Sequence, residues 1–171
     1  MSDDGCKVTK LESAARQLRE AILMFFERRD PIAVHTLAAA SNQVLVDVSR
    51  SKGHASLLKD SPFIRPEKRK EWLGHLNEAA NFFKHADRDP DDVLQFYPAV
   101  TPFFILDSIQ IYALLTKDFP HDQRAFIAWF NAAYSDLLLE GPIKQAVVEL
   151  LTSGLNPDDF AIFLKLAREQ H

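Results

Sequence analysis

Residues 30–53 read DPIAVHTLAAASNQVLVDVSRSKG, and this stretch decides the fold class. Asp30 is a strong N-cap residue, and Pro31 suits the first helical position behind it. Val34, Leu37, Ala38, Val44, Leu45 and Val48 recur at threes and fours, which places them on one helix face. Ala39 and Val46 fall on the opposite face, so this helix is expected to be central and covered on two sides. Gly53 ends it with a residue that accepts the left-handed conformation.

The same period continues in both directions. Upstream, Leu11, Ala14, Ala15, Leu18, Ala21, Ile22 and Phe25 line one side of a first helix. Downstream, a connection from His54 to Arg65 leads to Pro66, which opens a third helix running to about Ala86. Its core stripe is Trp72, Leu76, Ala79, Phe83 and Ala86. The acidic run from Asp87 to Asp92 breaks it. Pro98 and Pro102 bracket the entry to a fourth, very apolar helix through Leu115. A fifth spans His121 to Leu139, and Gly141-Pro142 starts a sixth that ends near Gly154. Asn156 is expected to cap the last, with Pro157 at its first position. No alternating run is bounded by turn signals, so no sheet is predicted. The expected fold is all-α: a flexible N-terminus over residues 1–8, then a single-domain bundle of six to seven helices over 9–170.

The totals narrow the function classes. The chain has 171 residues, 47% of them apolar and 26% charged, which is globular composition. A net charge of −4 argues against generic duplex binding. A single cysteine, Cys6, leaves no internal disulfide partner and no cysteine-based zinc site. No apolar signal core opens the chain, and no uninterrupted apolar run approaches the roughly 18 residues of a membrane span. These features predict a cytoplasmic protein with no membrane segment. The unusual count is 13 Phe.

Two places set polar groups against aromatic ones. The first is Asn81-Phe82-Phe83-Lys84-His85-Ala86-Asp87. Asn81 and His85, four apart, share a helix face opposite Phe83, while Lys84 lies between the faces. An amide, a cation and a residue that titrates near neutral pH thus meet in one turn. The second is Asp107, inside Phe103-Phe104-Ile105-Leu106-Asp107-Ser108-Ile109. A carboxylate there is partly buried and needs a partner; Lys84, His85, Arg16 and Arg19 are candidates. Weaker candidates are His35 with Asn42 on the central helix, Arg29 and Asp87. Asp87, Asp89 and Asp91 begin like a calcium loop, but Asp92 stands where glycine is required and Pro98 where the bidentate glutamate is required. There is no Glu-x-x-His pair, no phosphate loop and no nucleophile elbow. No metal or cofactor is expected.

An all-α chain with the helix end Asn81-x-x-Lys84-His85 resembles the HEPN-like helical bundles, a nucleotide- and RNA-associated superfamily. Ribonuclease members pair an arginine with a histidine one to two turns on, to stabilise phosphate charge and move protons. Aligned on Asn81 and His85, the arginine position is Ala80, and Lys84 offers only a point charge in its place. Arg29 with His35 has a matching spacing elsewhere. The absent catalytic constellation, with the large Phe content, points to a non-catalytic helical interaction or ligand-binding protein that forms a homodimer. The alternative that the resemblance implies is a degenerate or active ribonuclease, or a module that binds RNA or a nucleotide.

Overall fold

Thr9 opens the first helix, α1 (Lys10–Phe26), with a capping box. Its hydroxyl accepts the Glu12 amide at 3.1 Å, and the Glu12 carboxylate accepts the Thr9 amide at 2.8 Å. These helices come from a computed structural model, which describes residues 5–87 and 89–169. Residues 1–4 of the expected flexible terminus, and residue 170 at the far domain boundary, lie outside the described residues. Among those described there are seven α-helices and no strand. The chain is an all-α bundle.

The central helix, α2 (Pro31–Ser51), forms as its signals predict. Asp30 accepts the amides of Ile32 and Ala33 at 2.9 and 3.2 Å, and Gly53 leaves the helix at φ 80°. Both faces are buried: Val34, Ala38 and Leu45 on one, Ala39 and Val46 on the other. α1 and α4 (Thr101–Thr116) flank it. Ser41 reaches across to the Ala14 carbonyl at 2.8 Å, which small residues on α1 and α2 permit.

Three helices are shorter than their sequence spacing suggests. α3 (Arg69–Phe82) follows a 3-10 turn at Pro66–Lys68 and stops before Phe83. The amides of Lys84 and His85 both close onto the Asn81 carbonyl at 3.1 Å. The cause is Phe83, whose ring docks edge-on against Phe96, centroids 5.2 Å apart. Ala86 is consequently exposed, and Ala80 is buried in its place. α5 (His121–Ala133) ends where Tyr134 turns back onto Phe130 at 4.6 Å, and a 3-10 turn, Ser135–Leu137, follows. After α6 (Pro142–Thr152), α7 begins at Phe160 and runs to Arg168. Asn156 caps a turn instead of a helix, accepting the Asp158 amide at 2.9 Å.

The phenylalanines explain how the C-terminal helices are held. Phe25 and Phe26 of α1 meet Phe126 and Trp129 of α5 and Phe160 and Phe163 of α7 in one aromatic cluster. α4 carries the opposite burden. Pro98–Thr116 has the length and composition of a membrane span; here Phe104, Ile105, Ile109 and Ile111 enter the core. The same helix brings Asp107 and Ser108 into the interior.

Candidate functional site

Asp107 is 3% exposed, and its carboxylate is fully engaged. One oxygen accepts Asn42 Nδ2 and Ser56 Oγ, each at 2.8 Å; the other accepts the Leu58 amide at 3.2 Å. Asn42 also reaches Ser108 Oγ at 3.3 Å. Burying a carboxylate is tolerable only with such compensation. The partners are Asn42 and the loop after α2, in place of Lys84, His85, Arg16 or Arg19, none of which bonds it directly.

That loop is fastened at several points. Ser56 Oγ accepts the Lys59 amide at 2.8 Å. Asp60 accepts the Ser56 amide at 3.1 Å and takes Arg50 in a fork at 2.6 and 3.1 Å. Trp72 of α3 donates to the Leu58 carbonyl at 2.9 Å. Sequence reasoning missed Lys59, which this arrangement buries to 3% exposure. Its ammonium donates to Gln43 at 2.7 Å and lies 5.9 Å from the Phe104 ring centroid. Burial pushes its pKa down to about 8, against the attraction of Asp107. A lysine in a loop carries no periodic signal that would have marked it.

His35 is fully buried on α2. Its Nδ1 meets Thr101 Oγ1 at 3.0 Å. The rings of Phe83, Phe96 and Phe104 surround it at 6.2, 5.1 and 5.1 Å. Burial, and secondarily the charge of Lys84, pushes its pKa down to about 4. His35 is therefore neutral at pH 7 and closed off from solvent. Arg29 is exposed and paired at 3.6 Å with Glu27, so the structure does not join it to His35.

The turn at the end of α3 is split by Phe83. Lys84 is exposed, and its charge adds to the lowering of the pKa of both His35 and Lys59. Asn81, His85 and Asp87 instead line an open cleft of about 640 Å³. Glu78, Asp89 and Asp92 add carboxylates to it, and Phe82, Val93 and Leu94 add apolar wall. The candidates thus fall into an outer set (Asn81, His85, Asp87) and an inner set (Asn42, Asp107, His35), with Lys84 exposed and in neither. Among the described residues, no three His, Cys, Asp or Glu side chains gather as metal ligands. Compared with models of known protein families, with curated proteins and with solved structures, the chain matches none.

Proposed function

We propose that this chain is a non-catalytic helical binding protein that receives its ligand or partner in the cleft at the end of α3. The cleft itself carries the reading: it is the place where Asn81 and His85 stand together on an open surface. The interior groups with catalytic chemistry, His35, Lys59 and Asp107, are each buried and bonded to neutral neighbours. The carboxylates of Glu78, Asp89 and Asp92 favour a cationic or hydrogen-bond-donating group, and they repel the phosphates of RNA. The ribonuclease alternative would require an exposed arginine and histidine side by side. His35 and Arg29 do not meet that requirement.

The dimer belongs to the same proposal. Leu139, Ile143 and Leu150, on and before α6, are 91%, 66% and 53% exposed. Exposed apolar side chains on and just before one helix support a partner surface there. The lone cysteine, exposed and free, fits a reducing cytoplasmic setting.

Two assays test the reading. A short lysine-rich peptide titrated into the protein should shift the amide resonances of residues 78–94, and His85→Ala should weaken that binding. RNA incubated with wild type, His85→Ala and His35→Ala should be cleaved negligibly and equally by all three. Cleavage by wild type that disappears in His85→Ala would overturn it, as would peptide shifts that avoid the cleft.

A further inference from the structure

A second, smaller pocket of about 210 Å³ lies at the corner where α1 turns into α2. Its lining is chemically unlike the acidic cleft. Phe25, Val34, Pro98 and Phe160 form apolar walls, the Thr101 side chain adds a hydroxyl, and Arg28 and Arg29 supply two guanidiniums; no carboxylate lines it. A dry cavity of roughly 150 Å³ accommodates benzene, so the volume here suits one ring or a short aliphatic body with a polar head.

The polar groups are set for an anionic head. Arg28 is a non-glycine residue at φ 53°, a conformation that costs energy and is kept where the surroundings demand it. Its guanidinium lies 4.8 Å from the Phe160 ring centroid and donates to the Asp158 carbonyl at 2.9 Å. It is thereby fixed over one wall of the pocket. Arg29 is exposed, and its contact with Glu27 is long at 3.6 Å; such a surface pair is easily exchanged for another carboxylate. Thr101 is 3% exposed, and its oxygen meets His35 Nδ1 at 3.0 Å.

We propose that this corner binds a small organic monocarboxylate with an apolar body, of about the size of phenylacetate. The carboxylate is held by Arg29 and Arg28, which match its planar geometry. The body packs between Phe25, Val34 and Phe160, and the Thr101 hydroxyl reaches the acid or its near substituent.

The test uses the full chain, titrated with phenylacetate and with neutral phenylacetamide, followed by calorimetry and by amide resonance shifts. Phenylacetate should bind saturably and shift residues 28–34 and 98–101. Loss of the charge, in phenylacetamide or in Arg29→Glu, should weaken binding by about tenfold or more, as removal of a charge-assisted contact does. Arg28→Gly should weaken it similarly while keeping the fold, because glycine accepts the left-handed backbone there; a thermal melt checks that it does. No saturable binding by the wild type, equal binding of acid and amide, or an Arg29→Glu protein that binds as tightly as wild type would each overturn the proposal. The two pockets share no lining residue, so a failure here leaves the cleft reading standing, and the converse holds.

Discussion

Acid should destabilise this protein through one buried imidazole. His35 has an ordinary value of 6.5 when exposed and about 4 in the fold. Between those values the unfolded chain takes up a proton that the folded chain refuses. Stability is therefore highest above pH 6.5 and is lost as the pH falls towards 4. Each tenfold change in proton affinity is worth about 1.4 kcal/mol, so the loss amounts to about 3 kcal/mol. That is a large part of the 5–15 kcal/mol, roughly, that holds an ordinary domain together. Asp122 works in the opposite sense at the acid end. Burial raises its carboxyl above 3.8, so it takes up its proton more readily folded than unfolded. The upper part of the window, from about pH 6.5 to 5, isolates the histidine best. Urea unfolding followed by Trp72 and Trp129 fluorescence at stepped pH gives the measurement. His35→Gln keeps a hydrogen-bonding group for Thr101 but cannot titrate. Its stability should change far less over that range, whatever its starting value at pH 7. Parallel decline of wild type and His35→Gln would refute the reasoning.

Removing the Asp107 carboxylate with Asp107→Ala should cost about 3–5 kcal/mol in urea unfolding, because three buried donors lose their acceptor at once; Asp107→Asn, which keeps one acceptor oxygen, should cost less. Lys59 predicts an alkaline effect: its pKa falls from 10.5 to about 8 in the fold, so stability should rise with pH through that window, by up to about 3 kcal/mol. Lys59→Met should flatten that rise, and it is best read from about pH 8 to 9, below the ordinary tyrosine range of the half-buried Tyr112 and Tyr134, both raised. Sedimentation of the purified protein should show a dimer, and Leu150→Glu a monomer; equal mass for both would remove α6 as the interface.

The parts of the fold that could be read from the chain are those whose causes are local. Asp30-Pro31 and Gly53 bound α2 because capping and left-handed backbone depend on the residue itself and its near neighbours. The placement of α2 at the centre follows from apolar residues on both its faces. The ends of α3, α5 and α7 could not be read in the same way. Phe83 docks on Phe96 where α3 ends, and Tyr134 packs on Phe130 where α5 ends. Nothing within a turn of Phe83 announces the ring it will meet. The division of the phenylalanines has the same character: Phe104 borders the His35 chamber, whereas its neighbour Phe103 turns away to Phe130 and Tyr134.

The candidate site repeats this pattern. That Asp107 requires compensation follows from its apolar neighbours and the cost of an unpaired buried charge. What compensates it does not follow, because Ser56 and the Leu58 amide sit in an aperiodic loop whose position is set by Asp60, Arg50 and Trp72. Asn81 and His85 line the same cleft, yet helical spacing could not show that the helix would end at Phe82, before His85. This difference bears on function. A buried carboxylate that accepts an amide, a hydroxyl and a backbone N–H is held away from any substrate, and its loop cannot move without breaking bonds at three other residues. The cleft residues meet no such constraint, since Asn81 and His85 are exposed. The inner set therefore serves to hold α2, α4 and the loop in register, and under the proposed reading it is the outer face at the end of α3 that binds.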